Sequence, residues 1–161
     1  MSDVLRWLAH TAFAVWVANS TSLWAFPTIL LLHTFGLALV VGSSYVVSLR
    51  LLGIASAMPL RPLTILFKFL WAGYVVSAAS GAALFVSDAT AKAANPYFQT
   101  KMVFIAGATA VMVLLQRNIT LAPDAAADGP TIWTRLLAAS AIVLWTVALT
   151  AGRLIAYLPP S

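Results

Sequence analysis

Apolar residues run through the chain in four long blocks, separated by short breaks rich in Pro, Gly, Ser, Asn and charged side chains. The blocks cover approximately Trp24 to Leu49, Leu63 to Val86, Met102 to Leu115 with its flanks, and Ile132 to Ala151. Each approaches the ~20 apolar residues that carry a helix across the ~30 Å hydrocarbon layer of a bilayer. Within that layer every backbone N–H and C=O needs a partner in its own segment, so the predicted form of each block is helix. The pattern therefore predicts an all-α integral membrane protein, a four-helix transmembrane bundle.

Ahead of the first block, Ser2 to Ala18 combines an early basic residue, Arg6, with Trp7 and Trp16. Tryptophans and a basic residue on a short apolar stretch suit a helix lying in the membrane interface, and the polar break Asn19, Ser20, Thr21, Ser22 lacks a small-x-small cleavage site. Residues 1–19 are thus expected to form an interfacial amphipathic helix, capped by Ser2 or Asp3. The polar break would end it and cap the next helix. Residues 20–161 are expected to form one four-span domain.

Local signals refine the spans. Pro27 lies where a first helical turn tolerates proline, so it marks a start rather than a kink. Gly73, Ser77 and Gly81 recur every four residues along one face of the second span, the small-xxx-small device by which membrane helices approach closely. The stretch SDATAKAANPYFQTK between spans two and three reads as a surface loop or short helix. RNITLAPDAAADGPT between three and four reads as a hydrophilic connection.

Composition agrees with this class and removes others. Of 161 residues 62% are hydrophobic and 8% charged, with a mean hydropathy of +0.97, against roughly 25% charged residues in soluble domains. The absence of cysteine excludes disulfides, thiolate metal sites and iron–sulfur clusters. The net charge of +5 points to juxtamembrane anchors on anionic head groups, and no nucleic-acid-binding pattern is present. Arg50, Arg61, Lys68, Arg117 and Arg135 fall at one end of the spans, whereas Arg6, Lys92, Lys101 and Arg153 fall at the other. Five against four favours both termini outside the cytoplasm, on the periplasmic side of a bacterial inner membrane.

Against this background one titratable group stands inside a span. His33 follows Pro27 by six residues and heads a stripe of small side chains, Gly36, Val40, Ser43 and Ser44. An ionisable residue at membrane depth marks a functional site by default. A flat cofactor edge needs such room beside Gly36; a closely packed helix needs it equally, with His33 bonded to a carbonyl or hydroxyl. The other histidine, His10, lies on the same side. Two imidazoles supply the axial nitrogens of a six-coordinate haem b, with Met102 as a fallback ligand; alternatively His10 is a surface residue. Lys101 and Arg153 gather at the same end, where cations pair with haem propionates or snorkel to lipid phosphates.

Other chemistries lack their parts: there is no pair of embedded carboxylates, no hydrolase constellation, and no phosphate-cradling glycine loop. LLHTFGLALVVGSSYVVSLRLLG, SGAALFVSD, NPYFQTK and AGRLIAY together resemble a family of small four-span bacterial inner-membrane proteins of unknown function. More distantly, a first-span His with an Asn-Pro-aromatic-x-x-Lys stretch is similar to copper-resistance membrane proteins and to four-helix cytochromes of the b561 kind. These observations predict a small redox subunit binding haem b through His33 and His10, with Lys101, Arg153 and Gly36 around it. It would exchange electrons with a quinone or another membrane donor, within a homo- or hetero-oligomer, rather than act as a self-sufficient enzyme. Two alternatives remain: a cofactor-free accessory subunit, and a copper-resistance-like metal handling or transport protein.

Overall fold

A computed structural model of the chain describes residues 2–54, 59–121 and 129–157. In it α1 spans Ser2–Ala9, α2 Ala12–Asn19, α3 Phe26–Leu51, α4 Leu60–Val86, α5 Ala89–Ala94, α6 Pro96–Leu121 and α7 Ile132–Tyr157. Four of these, α3, α4, α6 and α7, are long and apolar enough to cross a membrane. The all-α four-helix membrane fold is as the hydropathy pattern predicts. Neighbouring spans alternate in direction, so the start of α3, the end of α4, the start of α6 and the end of α7 share one end of the bundle.

Two elements differ from expectation. The N-terminal stretch is two eight-residue helices rather than one, broken at His10 and Thr11. Thr11 adopts an extended conformation and its hydroxyl accepts from the Ala14 N–H at 3.3 Å, an N-cap that starts a new helix instead of continuing the old one. At eight residues, or ~12 Å, neither helix reaches across a bilayer. The third span is longer than its apolar run, because Asn95 caps it from outside. Its Oδ1 accepts from the Tyr97 N–H at 2.9 Å, and Pro96 occupies the first helical position. The Asn19–Ser22 break ends α2 as expected but does not cap α3, whose N-cap residue is Ala25, with no side-chain bond. Of the expected hydrophilic connection at 117–131, the first five residues continue α6 to Leu121, and 122–128, like 55–58, lie outside the described residues.

The core is built by stripes of three- and four-residue spacing, the pattern that brings antiparallel helices together in bundles. On α3 the buried stripe is Val40, Ser44, Val47 and Leu51; on α4 it is Leu63, Phe67, Leu70 and Ser77. On α6 it is Ala108, Met112, Leu115 and Ile119, and on α7 Ala138, Ala141, Trp145 and Ala148. The α3–α4 and α6–α7 hairpins are the most extensive pairs, joined chiefly through α3 and α7. Tyr45 donates to Thr146 Oγ1 at 2.7 Å across that join, since the Thr146 hydroxyl is already spent on the Ile142 carbonyl. On the opposite side, where α4 and α6 meet more sparingly, the Trp71 indole N–H donates to Gln116 Oε1 at 2.7 Å, and Phe85 stacks on Phe98 at 5.2 Å.

Outside the spans, α5 is tied to the end of α4 by Lys92. Its ammonium donates to the Leu84 carbonyl and, at 3.2 Å, to Ser87 Oγ, partnering groups that the helix end leaves open. Burial holds the Lys92 ammonium below its ordinary value of 10.5, with the Asp88 charge acting in the opposite sense. The folded chain therefore releases this proton at lower pH than the unfolded chain. Stability consequently rises with pH between the depressed value and 10.5. Lys92→Met is expected to cost about 1–2 kcal/mol near neutrality through loss of the charged hydrogen bonds, and to flatten that alkaline gain. Thermal unfolding of both forms at neutral and alkaline pH measures both effects.

Candidate functional site

His33 sits two turns into α3, ~10 Å along its axis from Phe26. It extends the buried stripe of that helix: 33, 37, 40, 44, 47 and 51 alternate in steps of four and three. On α6 the same steps lead back from Ile119 through Leu115, Met112, Ala108 and Ile105 to Lys101. On α4 they lead from Leu63 to Gly81, and on α7 from Ala138 to Gly152. The terminal layer of the bundle thus brings together one histidine, one lysine and two glycines.

The contacts agree with that register. A Cβ on Gly81 would stand 3.0 Å from His33 Cε1, and a Cβ on Gly152 would stand 3.4 Å from Lys101 Cδ and Cε. Each glycine therefore makes the space that the facing long side chain fills. By this register Lys101 on α6 falls in the same terminal layer as His33 on α3. Where the layers below close on Trp145, Met112 and Leu70, all essentially inaccessible, this one holds two nitrogenous side chains.

The histidine is held in a defined tautomer. Its Nδ1 is 2.9 Å from the Ser77 carbonyl oxygen, with Ser77 Oγ at 3.3 Å and Ser80 Oγ at 3.4 Å. A carbonyl only accepts, so Nδ1 carries the proton and donates it. The Ser80 hydroxyl is already committed to the Val76 carbonyl at 2.6 Å. Nε2 is left with its lone pair and has no hydrogen-bond partner among the described residues. An imidazole whose Nδ1–H is tied to a backbone carbonyl, with Nε2 open, has the arrangement that orients metal-ligating histidines.

Lys101 is the second open group. It is half-buried, and among the described residues its ammonium has neither an ion pair nor a hydrogen bond. Arg153 follows Gly152 directly in the chain and is exposed. His10 is exposed in the turn between α1 and α2, at the same end of the bundle, and its ring makes no hydrogen bond to a described residue. The structure therefore brings His33 and Lys101 together, with Arg153 beside them and His10 apart in the surface turn. Met102 is exposed at the start of α6.

Gly36 corrects an expectation. The room it makes is not beside the imidazole but is taken by α4: a Cβ there would lie 2.7 Å from the Ser77 N and 2.8 Å from the Gly73 O. Gly73 reciprocates, its added Cβ falling 2.6 Å from Leu39 Cβ and 2.8 Å from the Gly36 O. The seam of Gly73, Ser77 and Gly81 is thus used within the chain, with Gly36 and His33 seated against it. Gly81 and Gly152 are the site residues that the sequence did not single out for this role. The stretch AGRLIAY was visible in the sequence, but nothing in it shows which lysine Gly152 faces. Set against protein-family models, curated proteins and solved structures, the chain matches none.

Proposed function

We propose that the chain is a small membrane redox subunit that holds a b-type haem through His33 Nε2. The observation that carries this is the fixed Nδ1–H tautomer, which leaves the Nε2 lone pair without a partner among the described residues. The donor set fits such a group in part: one imidazole is oriented as a ligand, and the adjoining Lys101 ammonium lacks the anion that a propionate would supply. Arg153 is a further cation at the rim. His10, exposed at the same end, would be the second imidazole to hold the group. Bound there, haem would supply a one-electron couple.

The chain's own residues have separable tasks. Ser77 orients the ring through its carbonyl, Gly81 leaves the ring its place, and Lys101 offsets negative charge in a medium where water does not. The same reading puts the chain in a bacterial inner membrane with both termini periplasmic, the arrangement favoured by the basic residues at the far end. It would exchange electrons with a quinone or another membrane donor, and with a partner at the outer face. Large apolar side chains on the outer faces, such as Phe35, Val75 and Val103, suit lipid or a neighbouring subunit in a homo- or hetero-oligomer.

A cofactor-free accessory role is the second reading. Its main attraction, a small-residue face for docking another helix, is weakened because α3 already occupies that face. Copper handling finds less support, since among the described residues no three His, Cys, Asp or Glu side chains converge. The decisive measurement is the absorption spectrum of detergent-purified protein from haem-replete cells, oxidised and reduced. A Soret band and sharp α band are expected in the wild type and should fall to background in His33→Ala that remains monodisperse. A wild-type spectrum with no such bands overturns the proposal.

A further inference from the structure

On the lipid side of the α3–α4 seam, α2 and the turn before α3 frame an open groove of about 590 Å³. That volume lies within the roughly 300–1,000 Å³ of small-molecule sites. Trp16, Trp24, Leu32, Val76, Ala79 and Ser80 are among the residues that line it. Ser80 belongs to both places, since its Oγ also lies 3.4 Å from His33 Nδ1. The groove and the histidine are therefore back to back across a single residue.

The lining selects by charge and by hydrogen bonding. No charged side chain borders the groove, so nothing there compensates a phosphate. The two lining hydroxyls are spent, Thr28 on the Leu23 carbonyl at 2.7 Å and Ser80 on the Val76 carbonyl at 2.6 Å. The indole N–H groups of Trp16 and Trp24 make no bond to a described residue, and both rings are exposed, Trp24 by 77%. Two uncharged donors at the membrane boundary above an apolar trough match a neutral headgroup with carbonyl acceptors on a long hydrocarbon tail.

We infer that this groove binds a long-chain quinone, its tail along Leu32, Val76 and Ala79 and its carbonyls at Trp16 and Trp24. The preference for a neutral, carbonyl-bearing amphiphile comes from the groove; the choice of a quinone within that class rests on the redox reading above. Ala79 is exposed on the outer face of α4, so a larger side chain fills the trough without entering the core.

The test reconstitutes the full chain in phosphatidylcholine nanodiscs doped with a long-chain ubiquinone, re-isolates it in mild detergent, and quantifies retained quinone and phospholipid per chain. Near-stoichiometric quinone is expected for the wild type. Retention should fall roughly tenfold or more in Ala79→Phe, the scale on which added carbon atoms alter fit in an apolar pocket. The pair Trp16→Phe with Trp24→Phe should weaken it by removing only the N–H donors. Leu149→Phe, on the lipid face of α7, should retain quinone as the wild type does. Retained phospholipid without quinone, or equal retention in Ala79→Phe with an unchanged melting temperature, overturns the inference. His33→Ala separates the two proposals: it should keep the quinone while losing any haem band. A haem-free wild type that retains quinone therefore removes only the redox reading, and a haem-bearing one that retains none removes only the groove.

Discussion

Gly73→Ala is expected to lower the melting temperature of the detergent-solubilised protein by several degrees, although it adds a single methyl group and improves helix propensity. Its Cβ would fall 2.6 Å from Leu39 Cβ and 2.8 Å from the Gly36 carbonyl oxygen, distances at which atoms overlap. One contact is with backbone, which has no rotamer to change, so α3 and α4 must separate along the seam. Overpacking of this kind costs about 1–3 kcal/mol, and in a bilayer no hydrophobic force between helices restores the lost close packing. Gly36→Ala should behave alike. The double substitution should cost less than the two single costs added together, because one displacement relieves both clashes. Gly42→Ala is the control: nothing lies within 4 Å of its added Cβ, so stability should hold or rise by about 0.5–1 kcal/mol. A Gly73→Ala protein that melts with the wild type would mean that the helices do not cross at this seam.

Lys101→Met should move stability and ligand binding in opposite directions. A lysine in a membrane-spanning helix without a protein partner is a standing cost, put at about 2.5–3.5 kcal/mol at mid-membrane and less near a helix end, where the side chain reaches the interface. Methionine fills nearly the same space over Gly152 without that cost, so the apoprotein should gain about 1–2 kcal/mol and melt higher. Haem occupancy, read as Soret absorbance per chain, should fall at the same time because the acidic edge of the ligand loses its counter-charge. Stabilisation bought with function is the signature of an active group. Arg153→Met, at an exposed position, should change the melting temperature little. If Lys101→Met alters neither quantity, the lysine only anchors the helix to lipid.

What the sequence revealed follows the range of each signal. The four spans were legible because hydropathy averages over a whole helix. The third, drawn as Met102 to Leu115 with its flanks, runs on to Leu121, because Gln116 serves as acceptor for Trp71 and Ile119 is buried beyond it. The break at Thr11 was missed because a hydroxyl inside an apolar stretch shows no periodicity; only its bond to the Ala14 N–H makes it a cap. Spacing of three and four within one helix placed Gly73, Ser77 and Gly81 on a common face. It did not say that Gly36 would be their partner, so the space at Gly36 was read as room for a ligand. Likewise connectivity put His33, Lys101 and Arg153 at one end. The register between helices, which sets Lys101 over Gly152 and leaves Arg153 outside, depends on packing that no single-helix pattern encodes.

The closed layers beneath the histidine carry a consequence for traffic through the molecule. Trp145, Met112, Leu70 and Leu115, all essentially inaccessible, lie between the imidazole and the far face. A ligand for the imidazole would have to reach it from its own end of the bundle, where His33 lies only partly buried.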